Sequence, residues 1–422
     1  MRKYPATFKH TRISIGTLFV VGSLMVWSGL AQTRVHSSSA HLHWVGTWAC
    51  SPMLADAKNA PPIPDLKDCT LRQIVHASIG GTRLRLRFSN AFGKSSLKIE
   101  SVDIALARGG SSIDSGTDKL VTFGGRAVVN VPAGALMDSD PVAFNLTALS
   151  DLAVTIYLDG APDGITIHDG SRATSYLQSG AWVSAPDLPK AAHFDHWYFL
   201  NGVDVEAGDL AGSVVVLGDS ITDGHGTTTN KNTRWPDFLA RRLQAKLGTK
   251  GVGVLNEGIG GNRLLLDGIG PNALARLDRD VLAQSGVRWV IVLECVNDIG
   301  TAANANKYHN GEPATAADLI AADEQIIARA HAHNIRVYGA TIMAFGQSFY
   351  YTPAAEADRQ TINKWIRTGG KFDAVIDLDA ATRDPHDPSH LSKAADSGDH
   401  LHPGDKGYQI MGEAVDLRLF AK

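Results

Sequence analysis

The stretch Val214-Val215-Val216-Leu217-Gly218-Asp219-Ser220 decides the fold of the second half of this chain. Four consecutive apolar residues are typical of a parallel strand that is buried on both faces, and the glycine after them permits a sharp turn. A helix is predicted next, because apolar residues recur on one of its sides: Trp235, Phe238, Leu239, Leu243 and Leu247. The stretch therefore predicts the first strand and the first long helix of an α/β domain.

The alternation of apolar strand and amphipathic helix continues to the end of the chain. Further strands are predicted at Val252–Leu255, Trp289–Leu293, Val337–Ile342 and Ala374–Leu378. Helices are predicted near Ala273–Gln284, Asp318–Ala332, Glu356–Arg367 and Gly407–Leu419. This order predicts a doubly wound α/β domain over residues 211–422, whose ligand site lies at the carboxyl ends of the strands.

Residues 44–205 have the period-two pattern of short strands instead. Arg83-Leu84-Arg85-Leu86-Arg87-Phe88 places three arginines on one face and three apolar side chains on the other. Glycine-rich turns such as Gly80-Gly81 separate the strands, and we predict no long amphipathic helix here. The pattern predicts an accessory domain folded as an antiparallel, jelly-roll-like β-sandwich. The arginines could bind a ligand, but a solvated strand face is the commoner explanation and the preferred one.

Residues 1–31 have the pattern of a secretion signal. The uncharged apolar run Ile13–Ala31 follows four basic residues, Arg2, Lys3, Lys9 and Arg12. Gly29 and Ala31 supply the small residues that a signal peptidase requires, so cleavage is expected after Ala31. An uncleaved anchor is the alternative, because the run is nearly long enough to span a bilayer. Either interpretation predicts a secreted or periplasmic location, with no stable membrane insertion once the signal is cleaved.

The composition argues against a nucleic-acid partner. The 422 residues include 40 Lys plus Arg and 43 Asp plus Glu, so the formal charge is -3 and no basic excess exists to bind phosphate backbones. Three cysteines are too few for a disulfide scaffold. Cys50 and Cys69 could pair outside the cytoplasm, and Cys295 would be left over. This pairing is a hypothesis.

A serine, a histidine and an aspartate offer the parts of a nucleophilic site. Ser220 follows the first apolar strand, where a turn can present its hydroxyl and its backbone N–H to a substrate. A serine hydroxyl needs a base, and the base needs an acid that orients it. In Asp399-His400-Leu401-His402, Asp399 can accept from Nδ1 of His402 while Nε2 faces the serine.

Other residues of the same region are weaker candidates. Asp387 and His390 have the same spacing as Asp399 and His402, but Pro388 between them favours an exposed surface loop. His400 is a weaker candidate for the base because it is adjacent in sequence to Asp399. The region also suggests a metal-dependent hydrolase, through His386, His390, His400 and His402 with Asp384, Asp387, Asp396 and Asp399. Because this spacing matches no zinc helix motif, we predict no metal and no other cofactor.

Negative charge on a substrate carbonyl oxygen requires further hydrogen-bond donors at neighbouring strand ends. The glycine-rich loop 256–263 follows the second strand and can bring a bare backbone N–H close to a ligand. Asn297 follows the third strand and offers its side-chain amide. Glycines in turns and asparagines at strand ends are often only structural, but these two loops coincide with adjacent strand ends.

Four ordered blocks of sequence resemble the SGNH hydrolases, also called the GDSL esterase and lipase family. They are Gly-Asp-Ser-Ile at 218–221, Asn-Glu-Gly-Ile-Gly-Gly at 256–261, Val-Asn-Asp at 296–298 and Asp-His-Leu-His-Pro at 399–403. The resemblance extends over 214–419 and implies a three-layer α/β/α domain with a flavodoxin-like sheet. The segment before it looks, less specifically, like the β-rich region of some secreted members.

The resemblance implies a role for each matching residue. Ser220 would be the nucleophile, His402 the base and Asp399 its orienting acid. Gly261 and Asn297 would form the oxyanion hole with the Ser220 amide, and Gly260 is the other option because the alignment is ambiguous by one residue. The family usually has glycine where this chain has Cys295. A side chain there could narrow the pocket or alter the loop, but a small buried residue is the preferred interpretation.

These observations predict a secreted serine carboxylester hydrolase that forms an acyl-enzyme. By analogy, the expected substrates are small-molecule or polysaccharide esters, with O-acetyl groups of carbohydrate among them. A lipase or arylesterase, or an acyltransferase, could use the same site. A non-enzymatic carbohydrate-binding protein is the remaining alternative, against which the full set of catalytic side chains argues.

Overall fold

The computed structural model describes residues 42–303 and 313–421. The predicted secretion signal at residues 1–31 lies outside the described residues. Among the helices that the structure describes, none is both long and apolar enough to cross a membrane.

The first half consists of β-strands, joined by turns and one short 3₁₀ helix at Ser115–Thr117. The strands are β1 Leu42–Ala49, β2 Met53–Leu54, β3 Cys69–His76, β4 Gly81–Ser89, β5 Leu97–Ile99, β6 Ser101–Gly109, β7 Ser112–Ile113, β8 Lys119–Val121, β9 Val129–Val131, β10 Leu136–Asp138, β11 Val142–Leu146, β12 Asp151–Leu158, β13 Thr166–His168, β14 Ser175–Ser179, β15 Ala192–Phe194, β16 Trp197–Tyr198 and β17 Leu200–Gly208. No α-helix occurs among the described residues of this half, as predicted.

These strands form two larger antiparallel sheets and two small ones. One sheet has the order β1-β17-β4-β10, with β11 also paired to β4, and the other has the order β15-β14-β3-β12-β6-β7, with β8 paired to β6. Strands β16, β13 and β2 form a third sheet, and β5 pairs with β9. Leu84, Leu86 and Phe88 of β4 are fully buried with Leu152 and Val154 of β12 in one apolar core. The predicted β-rich, antiparallel character is confirmed.

The arginines of β4 are not a solvated face, so that preferred interpretation is wrong in part. Arg85 and Arg87 form ion pairs with Asp204 of β17 and hydrogen bonds to Ser285 in the second half. Only Arg83 stays largely exposed, with 48% of its side chain accessible. The preference failed because period-two patterning identifies a strand's polar face but not what packs against it.

The second half is built on a parallel sheet. Its strands are β18 Gly212–Gly218, β19 Val252–Gly258, β20 Val287–Leu293, β21 Arg336–Ala340 and β22 Ala374–Ile376. Their spatial order is β19-β18-β20-β21-β22, which is the flavodoxin-like order 2-1-3-4-5. Because β18 is buried along its whole length, both of its faces are covered. The predicted strands are confirmed, with ends that shift by a few residues.

Helices connect the parallel strands and pack in two groups. They are α1 Ser220–Asp223, α2 Trp235–Ala245, α3 Ala273–Leu277, α4 Val296–Ala303, α5 Ala316–Ala332, α6 Pro353–Thr368, α7 Leu378–Thr382 and α8 Asp405–Ala414. Helices α2 and α7 contact α8, whereas α4 and α5 contact α6, and α3 contacts α5. These groups and the buried strand between them support the α/β/α layering expected for the second half.

Three predicted helices end differently in the structure. Leu247 lies beyond the end of α2 and is 88% exposed, because the helix stops at Ala245. The segment predicted as Ala273–Gln284 continues from α3 into a π-helical turn, Asp278–Leu282. The last predicted helix ends at Ala414 and is followed by a 3₁₀ turn, Leu417–Phe420.

Strand β1 of the first half lies against β19 of the second. The contact is so close that a Cβ atom at Gly253 would lie 2.1 Å from the carbonyl oxygen of Gly46. A second glycine contact occurs at Gly46, where a Cβ atom would lie 2.7 Å from the side chain of Leu255. The two halves therefore meet backbone to backbone, and they bring loops of the first half to the carboxyl ends of the parallel strands.

The hypothesised disulfide is wrong, because Cys50, Cys69 and Cys295 are all free and buried. The Cys50 thiol instead donates to the carbonyl oxygen of Leu200, at 3.4 Å. Sequence proximity brought Cys50 and Cys69 together in the hypothesis, but a disulfide depends on the separation of the two Cβ atoms in the folded chain.

Candidate active site

Ser220 lies at the carboxyl end of β18, as the first residue of α1. Asp219 is the N-cap of this short helix and its carboxylate accepts from the N–H of Ile221 at 2.8 Å. The helix ends at Gly224, whose φ of 97° is a left-handed conformation that glycine adopts without strain. This strand–turn–helix arrangement holds the Ser220 side chain, nearly buried, against an open cavity.

The structure brings Ser220, His402 and Asp399 together in one hydrogen-bonded chain. Oγ of Ser220 lies 2.9 Å from Nε2 of His402, and Nδ1 of His402 lies 2.6 Å from Oδ2 of Asp399. The other carboxylate oxygen of Asp399 accepts from the backbone N–H groups of Leu401 and His402, at 3.0 and 2.8 Å. The three side chains thus have the order nucleophile, base and orienting acid.

The hydrogen bonds keep Asp399 ionised. Partial burial raises the pKa of its carboxyl group, but the hydrogen bonds from the His402 side chain and from two backbone N–H groups outweigh burial and lower the pKa to about 2. An ionised Asp399 holds the His402 ring with Nδ1 as donor, which leaves Nε2 to accept a proton from Ser220.

The weaker histidine candidates lie elsewhere. His400 has a φ of 64° and its Nδ1 is 2.7 Å from Oδ2 of Asp396. Nδ1 of His390 is 2.9 Å from Asp387, in the excursion that the proline predicted. Neither histidine lines the cavity at Ser220.

The glycine-rich loop after β19 forms a tight turn beside Ser220. The N–H of Asn262 donates to the carbonyl oxygen of Ile259, and Gly261 has a φ of 69°, as the third residue of a type II turn does. Gly260 and Gly261 both line the cavity, so either could present its N–H there. Only Gly261 requires the left-handed conformation.

The Asn297 amide is held in one orientation by two partners. Its Nδ2 donates to the carbonyl oxygen of Asn262 at 2.9 Å, and its Oδ1 accepts from the hydroxyl of Tyr350 at 3.0 Å. Gly300 makes room for Tyr350, because a Cβ atom at this glycine would lie 2.2 Å from the tyrosine ring. These two hydrogen bonds fix the Asn297 amide with its NH₂ group toward the loop after β19 and its oxygen toward Tyr350.

Cys295 has a φ of 83°, the left-handed region that favours glycine. Its side chain is 3% exposed, belongs to the apolar core of the second half and does not line the cavity. The preferred interpretation, a small buried residue, agrees with this position. Cys295, where the family has glycine, therefore does not narrow the pocket. The free-energy cost of having a side chain at this position is strain in the backbone.

Sequence reasoning missed His225, which lies in the turn after α1. Its ring is 4.2 Å from the ring of His402, centre to centre. Burial lowers the pKa of His225, and the nearby His402 and Arg172 lower it further. Its position five residues after Ser220, in the same glycine-rich turn, was the available signal.

The buried side chain of Arg276 links the carboxyl ends of β18 and β19 by hydrogen bonds beneath the site. Arg276 is 1% exposed and donates to the carbonyl oxygens of Gly218 and Glu257 at 3.0 and 2.7 Å, and to the side chain of Asn262. It also bonds Ser51 of the first half at 2.7 Å. This side chain joins the nucleophile strand to the loop that supports Asn297, a role that no local sequence pattern predicts.

The cavity beside Ser220 has a volume of about 410 Å³. Its walls come from both halves of the chain. The second half contributes Ser220, Asp223, His225, Gly260, Gly261, Ile269, Asn297, Phe349, Tyr350, Leu401 and His402, and the first half contributes Met53, Asp169, Gly170, Arg172, Asp195 and His196.

A model of the GDSL-like Lipase/Acylhydrolase family matches residues 216–410, just under half of the chain. Residues 216–410 are therefore identified as a GDSL, or SGNH, hydrolase domain. This domain makes the protein an esterase, and the matched segment contains Ser220, Asn297, Asp399 and His402. The residues before 216 lie outside the match.

Other comparisons find lower similarity. The hydrolase matches no curated protein significantly. Among solved structures, Axe2, an acetylxylan esterase from Geobacillus stearothermophilus, is 21% identical, with a TM-score of 0.39 over 50% of this chain and 95% of that one. The acetyl xylan esterase AlAXEase is also 21% identical, with a TM-score of 0.38 over 48% of this chain and 96% of that one.

In the described part of the hydrolase, the side chains of one group lie close enough together to hold a metal ion. Potential ligand atoms of His225, Asp399 and His402 lie within 4.8 Å of one another. However, Asp399 and both ring nitrogens of His402 already take part in the hydrogen-bonded chain to Ser220. These side chains fit proton transfer better than metal coordination. Six of the eight residues of the metal set considered from the sequence are not in the group: His386, His390, His400, Asp384, Asp387 and Asp396.

Proposed function

We propose that the hydrolase is a serine carboxylester hydrolase in which Ser220 is the nucleophile, His402 the base and Asp399 the orienting acid. The observation that carries this proposal is the continuous chain of hydrogen bonds from Ser220 Oγ through His402 to Asp399 at the wall of a cavity. The proposed oxyanion donors are the backbone N–H groups of Ser220 and Gly261 and the side-chain amide of Asn297.

The reaction follows from the geometry in two steps. In the first, Ser220 Oγ forms a bond to the substrate carbonyl carbon as Nε2 of His402 takes the hydroxyl proton. The bond to the alcohol oxygen then breaks, and that oxygen receives the proton from Nε2. In the second, a water molecule loses a proton to Nε2 and attacks the acyl carbon. The bond from that carbon to Ser220 Oγ then breaks, Oγ receives the proton from Nε2, and the acid leaves.

We propose small acyl esters as substrates, O-acetyl groups of carbohydrate among them. A cavity of about 410 Å³ with many polar wall residues supports a compact, polar ester better than a long acyl chain. We also propose that the enzyme acts outside the cytoplasm, which the basic residues and the apolar run of residues 1–31 support.

The test is acyl-enzyme formation with p-nitrophenyl acetate in wild type and in Ser220→Ala. Wild type should gain the mass of one acetyl group on the peptide that contains Ser220, and Ser220→Ala should lose about 10⁴-fold or more in kcat. Ser389→Ala is the matched control, since Ser389 lies beside His390 in the exposed excursion. Full activity of Ser220→Ala would overturn the proposal, and adding an alcohol acceptor would separate hydrolysis from acyl transfer.

A further inference from the structure

The wall that the first half contributes to the cavity contains four polar, charge-bearing side chains. They are Asp169, Arg172, Asp195 and His196. We propose that these residues form the subsite for the alcohol portion of the ester, and that this portion is a neutral, hydroxyl-rich group such as a sugar ring. The inference rests on the proposed function of Ser220 and His402.

The loop after β13 is anchored directly to the nucleophile helix. His168, the last residue of β13, places Nε2 3.0 Å from Oδ1 of Asp223, three residues after Ser220. Gly170 permits the contact, because a Cβ atom there would lie 1.8 Å from the Asp223 carboxylate. One nitrogen of Arg172 lies 3.5 Å from the same carboxylate. The loop is thus held in a fixed position relative to Ser220.

Arg172 has two features of a ligand-binding residue. Its φ of 49° is a left-handed conformation that costs free energy at a residue other than glycine, and such strain concentrates at binding sites. Its Nε is buried and has no hydrogen-bond partner among the described residues. The side chain as a whole is 28% exposed and lines the cavity, so the exposed part of the guanidinium can donate to a ligand oxygen.

The position of this wall assigns it to the alcohol side of the ester. The imidazole of a serine hydrolase lies between the nucleophile and the leaving oxygen, so the alcohol portion lies on the imidazole side. His225 stands beside the His402 ring, and the turn that contains His225 continues to Asn230, whose backbone N–H donates to the carbonyl oxygen of Arg172 at 3.0 Å. The donors proposed for the oxyanion, Gly261 and Asn297, come instead from the loops after β19 and β20.

The chemistry of the wall favours hydroxyl groups over a charged ligand. Asp169 pairs with His196 at 3.0 Å, and Asp223 faces Arg172, so the cations are already balanced by carboxylates. Among the described residues, Asp195 accepts long hydrogen bonds from Thr174 and Thr229, at 3.3 and 3.4 Å. Carboxylates that accept and a guanidinium that donates can together bind the hydroxyl and ring oxygens of a neutral sugar.

The experiment compares two esters with the same acyl group. The probes are p-nitrophenyl acetate and a mono-O-acetylated methyl pyranoside, and kcat/KM for each is measured by acetate release. Arg172→Ala and Asp195→Asn should each lower the ratio of sugar-ester to nitrophenyl-ester kcat/KM about tenfold, mainly through KM, since each removes a hydrogen bond to the sugar alone. Asp159→Asn, in an exposed loop away from the cavity, is the matched control and should leave the ratio unchanged.

The outcomes separate this inference from the function on which it rests. If both cavity variants keep the wild-type ratio, or if wild type cleaves only the nitrophenyl ester, the alcohol subsite is overturned while the esterase proposal stands. If Ser220→Ala cleaves both esters, the catalytic proposal itself fails. Circular dichroism of each variant identifies misfolding. Arg172→Lys is then compared in the same way, and it should lower the ratio because it keeps the positive charge but loses the guanidinium donors.

Discussion

His168 and Asp223 join the two halves of the hydrolase by a buried hydrogen bond of 3.0 Å, immediately behind the proposed nucleophile. Both side chains are less than 5% exposed, and Nδ1 of His168 lies 2.9 Å from the carbonyl oxygen of Ser51. The first half is therefore a structural part of the candidate active site.

Replacing His168 by alanine should destabilise the protein and reduce activity together. The change leaves the Asp223 carboxylate buried beside an empty space, so the free energy of unfolding should fall by about 3 kcal/mol. The loop 169–172 loses its anchor, so kcat/KM should fall as well. Denaturant titration and ester kinetics measure both, with the exposed His386→Ala as control. A variant as stable as wild type would contradict the structural role of this pair.

Asp399→Asn should lower kcat by on the order of 10³-fold or more, because the amide stabilises the wrong tautomer of His402. Asp387→Asn, which alters the exposed pair with His390, should leave kcat unchanged.

The pKa of Asp399 is lowered to about 2, so its stabilising effect is present above about pH 4 and is lost as the pH falls toward 2. The stability difference between wild type and Asp399→Asn should therefore shrink between pH 5 and pH 2.

Tyr350→Phe should lower kcat about tenfold, because Asn297 loses the hydroxyl donor that fixes its amide orientation. Tyr351→Phe is the matched control, since Tyr351 is the next residue and is 40% exposed. Kinetics with p-nitrophenyl acetate check the effect. Equal kcat values for the two variants would show that Asn297 needs no support from Tyr350.

Cys295→Val should cost 2 kcal/mol or more of folding free energy, since a β-branched residue is strongly disfavoured at a φ of 83°. Cys295→Gly should change stability by less than about 1 kcal/mol, because relief of backbone strain offsets the loss of the buried thiol. Thermal and denaturant unfolding compare the variants. A valine variant as stable as wild type would show that the backbone at this position is not strained.

Asp323 of α5 should make stability depend on pH near neutrality. Burial and, to a lesser extent, the charge of Asp298 together raise the pKa of its carboxyl group to about 8. The folded state holds this proton when the unfolded chain has lost it, so stability should decline as the pH rises from about 4 to 8. Asp323→Asn should flatten that decline, measured by unfolding at several pH values, whereas Asp159→Asn in an exposed loop should not.

The amino-acid sequence by itself determined the α/β character of the second half, its five strands and the residues of the hydrogen-bonded chain. Strand and helix periodicities depend on local geometry, so Val214–Leu217 could be read directly as a buried strand. Ser220, Asp399 and His402 lie in short sequence blocks. The residue types and their spacing in these blocks predict a nucleophile, an orienting acid and a base. The same local patterns could not exclude a Cys50–Cys69 disulfide or show what covers the arginines of β4.

Only the tertiary structure decided which distant residues meet at the site. Arg172, Tyr350 and Arg276 stand in segments with no local signal of function, and each acts through a partner from another part of the chain. Such contacts depend on how one element packs against the next, and packing is set by the shape and chemistry of both surfaces at once. For this reason the side chains of the proposed reaction could be identified from the sequence, and the cavity that encloses them could not.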